Sequence, residues 1–409
     1  MSDALEVPPV KPLTDGELPR VSIVILNWNG RKHLRGCFDS LAALDYPEGL
    51  REVLLIDNGS DDGSVEEVRA QHAWVHLEVN ARNLGFSAGC NQGAELAKGP
   101  EVLVFLNNDI RVEPGFLRAL VAPIVRGVCQ STTAKMLSWD GKLLNSTGGG
   151  MNFHGIGIQR GYLEEPSAQY DVPRRTLFAC GGAMAIDPKV FLELGGLDEE
   201  FFAYYEDVDL GWRSWVHGHS VQYEPLAVCY HHHSSTSRRL PVERLRLLQV
   251  RNPLLACFKN YDTDNLRRVL PAMLGLAIRR AFHSANWGDL SELRVENLRT
   301  LPREGRFRNA LTRFFGRGRR KLALDPIALA DLVAINDLLG NWDHWMKRRL
   351  EVQARRARGD EKILPLLLRP LWCIEQDPGY QELQDGLVQF LGLDRLFENL
   401  TSMQDDPKT

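Results

Sequence analysis

The sequence predicts an α/β protein built on a mostly parallel sheet, with a helical extension at its C-terminal end. Three observations predict it. Apolar, β-branched runs recur in the first hundred residues, and each ends in a polar cluster. Helix-like stretches separate these runs, and alternation of this kind implies parallel strands with crossover helices on the sheet faces. After residue 240 the pattern becomes helical and arginine-rich to the end.

Taken in order, residues 1–20 form an extended lead-in with four prolines. Val21–Leu26 is a strand buried on both faces, which exits through Asn27-Trp28-Asn29-Gly30. A helix from about Lys32 to Ala43 follows. Glu52–Ile56 is the second strand, and it ends at the turn-rich Asp57–Ser64, which caps a helix beginning near Val65. Trp74–Val79 is the third strand and stops at Asn80. A helix around Ala88–Ala97 then leads to the fourth strand, Val102–Leu106, ending at Asn107-Asn108-Asp109. From about Gln130 to Asp187 short strands and many glycines suggest an insertion that completes a site. A dense cluster from Gly181 to Arg213 precedes a short strand near 220–223 and the run Tyr230-His231-His232-His233. Helical breaks are expected near Asp262, Gly288 and Pro302, and a domain boundary near 235–265. There is no internal repeat of 20–50 residues.

Composition narrows the class. With 409 residues and 44% hydrophobic content the chain can bury a substantial core, which excludes disordered and fibrous classes. The formal charge of −4 excludes a dedicated nucleic-acid coat. The charge is unevenly spread, however: Arg238–Lys321 holds 20 basic and 7 acidic residues, against 29 and 46 elsewhere. Seven scattered cysteines without a C-x-x-C indicate neither a disulfide framework nor a cysteine zinc site, as expected in a reducing compartment. The acidic, proline-bearing N-terminus lacks a signal-peptide core, and no apolar run reaches 18 residues, so neither secretion nor a membrane span is expected.

In open α/β sheets ligands sit beyond the carboxyl ends of the strands. Here those ends carry Asn27–Asn29, Asp57, Asn80–Asn83 and Asn107–Asp109, which should share one crevice. Asp109 beside two amides suits a hard cation such as Mg²⁺ or Mn²⁺ that neutralises a diphosphate; an Asx turn is the plain alternative. Glu206-Asp207-x-Asp209 among Tyr204, Tyr205 and Trp212 suits a general base, or merely an acidic helix N-terminus. Of the three adjacent histidines at most one can ligate an ion, because neighbours on a strand point to opposite faces. The first strand-helix turn has neither a P-loop nor G-x-G-x-x-G, which argues against an ATPase or a dinucleotide-dependent dehydrogenase.

VSIVILNWNG, VLLIDNGSDDGS, NARNLGFSAGCNQG, VFLNND and GGAMAIDPKVFLELGGLDEEFFAYYEDVDLGWR, in this order over about residues 20–260, resemble the family 2 glycosyltransferases. Within the family the chain is most similar to bacterial rhamnosyltransferase-like members that build O-antigen, capsule or other cell-wall polysaccharides, and RNPLLACFKNY resembles that subgroup too. The resemblance implies a GT-A fold: a catalytic domain at 21–260, with its nucleotide-binding half at 21–130 and its acceptor-binding half at 131–260, then a helical, basic domain at 261–409.

By motif position, Asn27, Trp28, Asn29, Asp57, Asn83, Gly85, Asn91, Asn107, Asn108, Gly181 and Gly182 would bind the nucleotide sugar, with Asp57 reading the base imide. Asp109 would hold Mg²⁺ or Mn²⁺, with His231 completing the site and His233 as the fallback. Asn107 departs from the family's D-x-D, which lowers the charge of that site. Asp207 would be the catalytic base of an inverting displacement, with Glu206 positioning the acceptor and Trp212 and Tyr205 packing near it.

The implied partners are a dTDP- or UDP-sugar donor, with dTDP-rhamnose favoured, and a glycan or lipid-linked acceptor; nucleic acid is not one. Sugar choice would lie in loops such as 140–175. The basic C-terminal part, including Leu311–Arg317, suits an anionic membrane surface or a packed helical face, and a homodimer is a further expectation. The expected place is the cytoplasm, peripheral to the inner face of the plasma membrane. Two rival functions remain: a sugar-nucleotide nucleotidyltransferase, whose glycine-rich basic loop is missing, and a non-catalytic scaffold or carbohydrate-binding subunit, against which the acidic pair stands.

Overall fold

The computed structural model describes residues 5–232, 241–285 and 325–401. Its first half alternates as expected: β1 (Val21–Asn27), α1 (Arg31–Ala42), β2 (Arg51–Asp57), α2 (Ser64–Gln71), β3 (His76–Val79), α3 (Phe86–Leu96) and β4 (Val102–Asn107). Strand β1 pairs in parallel with both β2 and β4, and β2 with β3. The third strand begins two residues later than the sequence suggested. Ala73 and Trp74 form a turn, and the Trp74 ring is about half exposed while resting edge-on against Phe38.

Two elements were not anticipated, β5 (Ile110–Val112) and α4 (Phe116–Val125). Helix α4 is apolar over most of its surface and hides Phe116, Leu117, Leu120 and Val121, so it lacks the polar stripe that marks a surface helix. The remaining elements of this half are β6 (Ser131–Ser138), β7 (Leu144–Ser146), β8 (Gly149–Met151), β9 (Gly157–Gln159), β10 (Arg174–Arg175), β11 (Ala183–Ile186), α5 (Pro188–Glu193), α6 (Glu206–Val216) and β12 (Val221–His231). Along the main sheet the order is β10-β12-β6-β11-β4-β1-β2-β3, with β5 paired to β12 and β7 to β6, while β8 and β9 form a separate hairpin. Strand β11 is antiparallel to both neighbours, so the sheet is mixed beyond β4.

The short strand near 220–223 continues to Tyr230 and His231 as one strand of 11 residues. A register shift between Glu224 and Val228 accommodates Pro225, which cannot donate to a ladder. That insertion disguised the continuity.

After residue 240 the described residues form α7 (Val242–Asn260), α8 (Thr263–Ser284), α9 (Pro326–Gly340), α10 (Trp342–Ala354), α11 (Pro378–Phe390) and α12 (Leu393–Thr401). The break at Asp262 is an N-cap whose carboxylate accepts from the Asn265 amide. The breaks expected at Gly288 and Pro302, the stretch Leu311–Arg317 and the fallback ligand His233 lie outside the described residues. One buried cluster runs from Val24 and Phe105 under the sheet, through Trp212 and Phe258, to Trp345 and Phe397, so the late helices share a core with one sheet face. The other face is closed by α1 and α4 over Ile23, Phe38 and Leu117. All seven cysteines are free thiols. Among the described residues no helix is long and apolar enough to cross a membrane.

Candidate active site

The chain leaves β1 toward β2 and β3 on one side and returns to β4 on the other, so the strand order reverses between β1 and β4. A crevice is expected beyond the carboxyl ends of two such strands. A cavity of about 410 Å³ lies there, bordered by Trp28 after β1 and by Asn107, Asn108 and Asp109 after β4.

Asp109 and His231 meet because β5 pairs with the end of β12, placing Ile110 opposite His231. The His231 Nε2 atom lies 3.2 Å from Asp109 Oδ1, and the His232 amide donates to the Asp109 carbonyl at 3.1 Å. Gly181 and Gly182 form the facing wall. The Gly181 amide donates to Asp207 Oδ2 at 2.9 Å, and the Gly182 carbonyl accepts from the Asn107 amide at 2.8 Å, so one glycine pair ties both acidic regions together.

Glu206 and Asp207 begin α6, where the unpaired amides of a helix N-terminus favour negative charge. Their surroundings differ. Asp207 accepts from the amides of Gly181 and Val208, whereas the buried Glu206 Oε2 meets no partner among the described residues. Burial, and then the neighbouring Asp207 charge, push Glu206 up to about 8. Burial also raises Asp207, but its two amide donors oppose the rise. Both carboxyls are thus pushed upward together, and the negative charge is better supported on Asp207 than on the bare Glu206 oxygen.

The loop before α6 has left-handed backbone at Phe202 (φ 60°), Tyr204 (φ 69°) and Tyr205 (φ 68°). Each such residue without glycine costs about 1 kcal/mol, so contacts must impose the shape. On one side the amides of Phe86 and Ser87, opening α3, donate to the Phe202 carbonyl at 2.6 and 3.3 Å. Gly85, at φ 94°, permits this approach, since a Cβ there would fall 2.6 Å from that carbonyl oxygen.

Of the residues singled out from the sequence, Trp28, Asn83, Gly85, Asn107, Asn108, Asp109, Gly181, Gly182, Tyr205, Glu206, Asp207 and His231 border the cavity. Asn27, Asn29, Asp57, Asn91 and Trp212 lie off its wall. Asn27 and Asp57 are fully buried, and the Asp57 carboxylate is occupied by the Ser60 amide, the Ser60 hydroxyl and Asn27 Nδ2 at 2.7–2.8 Å. Asn108 Nδ2 extends this network to Asn27 Oδ1 at 2.6 Å. Asn29 borders an adjoining surface groove with Arg31, Lys32 and Arg35. Asn91 braces the Leu197–Glu199 turn through the Leu197 amide and carbonyl. Trp212 is buried with its ring edge on Tyr261. The sequence reading missed Phe86, Phe178, Phe202 and Gly157 as cavity walls. Phe86 and Phe202 lie inside the quoted motifs, but an isolated phenylalanine carries no sign of whether it faces core or ligand.

Fold and site together define an α/β protein with a carboxylate-bearing crevice at the switch in strand order. Residues 22–194 match the family described as Glycosyl transferase family 2. It is 27% identical over 250 residues to the N-acetylglucosaminyl-diphospho-decaprenol L-rhamnosyltransferase of Mycobacterium tuberculosis, covering 54% of this chain and 79% of that one. It is 30% identical over 231 residues to the O-antigen biosynthesis protein RfbC of Myxococcus xanthus, covering 54% and 18%. The crystal structure of GalNAc-T7 with UDP, GalNAc and Mn²⁺ superposes loosely, with a TM-score of 0.48 and 21% identity over 68% of this chain and 53% of the other. The chain spans less than two thirds of several curated relatives, from 18% to 62% of their length.

Proposed function

We propose that the chain transfers a sugar from a pyrimidine nucleoside diphosphate, dTDP-rhamnose or a UDP-hexose, to a hydroxyl of a glycan or lipid-linked acceptor, with inversion. The observation that carries this is the convergence of Asp109–His231 and Glu206–Asp207 on one cavity at the strand switch.

Among the described residues no three His, Cys, Asp or Glu side chains group closely enough to hold an ion by themselves. The donor set nevertheless fits a Mg²⁺ or Mn²⁺ shared with substrate, because such ions are often held by one or two protein ligands plus phosphate oxygens. Asp109 and His231 would hold it, and when bound it would offset the charge of the departing diphosphate. Asn107 and Asn108 present amides to the same region.

Asp207, ionised and oriented by two backbone amides, takes the proton of the acceptor hydroxyl. The acceptor oxygen bonds to the anomeric carbon as the bond from that carbon to the diphosphate breaks, and the nucleoside diphosphate leaves. Glu206 remains protonated beside it and spares the cavity a second charge. Phe86, Phe178, Phe202 and Tyr205 line much of the remaining wall and exclude water.

Thermal stabilisation by a panel of pyrimidine nucleotides and nucleotide sugars, with and without Mn²⁺ or Mg²⁺, tests the donor half of this function. A ligand that binds only the folded state raises the melting temperature, by an amount that reports affinity. A metal-dependent rise with dTDP or UDP, lost in Asp109→Ala, is expected. No rise with any of them contradicts it.

A further inference from the structure

The loop between Phe201 and Tyr205 aims α6, and its second anchor comes from the helical extension. Asn252 on α7 is fully buried, and its Nδ2 atom lies 2.9 Å from the Phe201 carbonyl, 3.0 Å from that of Ala203 and 2.8 Å from that of Tyr204. The two N–H donors of a single side-chain amide are thus shared among three carbonyls across a turn in which Phe202, Tyr204 and Tyr205 are left-handed. Its own orientation is fixed, since Asn252 Oδ1 accepts from Arg251 Nη1 at 3.1 Å. Arg251 in turn donates to the Glu200 carbonyl at 2.7 Å and to Asp337 on α9 at 2.7 Å.

We propose that Asn252 is a positioning residue for glycosyl transfer, holding the Phe201–Tyr205 turn so that Glu206 and Asp207 face the cavity, and so making the helical extension part of the catalytic apparatus. The role assumes the transfer reaction proposed above. The division of labour is specific. The Phe202 carbonyl is held by α3, on the side of the cavity formed by Gly85 and Phe86, whereas the carbonyls of Ala203 and Tyr204, next to the carboxylates, accept from Asn252. Losing Asn252 therefore loosens the start of α6 and leaves the opposite wall, with Trp28, Asn107 and Asp109, in place. Displacement of a reacting group by about 1 Å costs on the order of 100-fold in rate, whereas donor binding depends on the unmoved wall.

The test compares Asn252→Ala with Val269→Ala, a truncation in the shared core on α8 away from the turn. Turnover is read as release of nucleoside diphosphate from the nucleotide sugar, and amide hydrogen exchange is followed over residues 202–208. Asn252→Ala is expected to lower kcat about 100-fold with the donor KM within about twofold, and to speed exchange in that segment. Val269→Ala should lower the melting temperature without either change. If Asn252→Ala does not fold, Asn252→Asp keeps the shape and removes the amide donors. Unchanged kcat, unchanged exchange, or losses matched by Val269→Ala overturns the role of Asn252. Full turnover in Asp207→Asn would instead overturn the assignment of the base, and a wild-type protein that turns over no nucleotide sugar would overturn the transfer function, with the exchange result still deciding whether Asn252 holds the turn.

Discussion

At the scale of single residues, the two adjacent carboxyls at the start of α6 differ through their hydrogen bonds. Asp207 has two amide donors and Glu206 has a bare buried oxygen, so negative charge is better supported on Asp207 than on Glu206. The sign of the effect on stability follows. The unfolded chain releases the Glu206 proton near 4.5, while the folded chain keeps it to about 8, so between those values the wild type loses stability as pH rises. Glu206→Gln has no such proton to lose. Its stability relative to wild type should therefore climb between pH 5 and 8, by no more than about 1.4 kcal/mol per pH unit. Melting curves across that range check this, and a flat or falling difference contradicts the burial of Glu206. The acidic pair was legible in the sequence as an acidic motif among aromatics. Which member better supports the charge was not, because the answer lies in backbone amides contributed by Gly181, 26 residues away in the chain.

At the scale of elements, α6 is locked to α7 by a buried charge cluster. Lys259 Nζ lies 2.5 Å from Asp198 and 2.9 Å from Asp209, and Arg213 Nε reaches Asp209 at 2.7 Å. Burial alone would raise both carboxyls, yet the Lys259 and Arg213 charges hold them below the usual carboxylate range. Removing Lys259 takes away the one cation among the described residues that touches both carboxylates, leaving Asp198 to Arg348 and Asp209 to Arg213 and Asn260. Lys259→Met should lower stability by about 3–5 kcal/mol in denaturant unfolding, and a loss under about 1 kcal/mol would show that the cluster is better solvated than its burial implies. The strands and helices of the first hundred residues were legible because apolar runs and polar turns alternate cleanly there: β1, β2 and β4 are continuous apolar runs that stop at polar turns. Helix α4 was not, since apolar residues cover nearly its whole surface and leave no polar stripe, and β12 was not, since Pro225 interrupts a strand that resumes after its register shift.

At the scale of the whole molecule, the sheet and the late helices enclose one continuous core on one side of the sheet, and Asn252 carries that continuity to the start of α6. The sequence showed a helical pattern after residue 240, and the resemblance put residues up to 260 in the acceptor-binding half, but the RNPLLACFKNY segment carries no periodic or capping signal for a side chain that binds a distant turn. Most of the cavity wall was legible, whereas the positions of Asn27, Asp57 and Asn91 behind it depend on networks that only the fold assembles. The central claim is that this one cavity transfers a sugar with Asp207 as base. It is tested most directly by nucleoside diphosphate release from a panel of dTDP- and UDP-sugars, comparing wild type with Asp207→Asn. A drop of about 100-fold to 10,000-fold in turnover, with the nucleotide-induced rise in melting temperature retained, is the predicted result. Undiminished turnover in Asp207→Asn, or no release from any donor by the wild type, would contradict it.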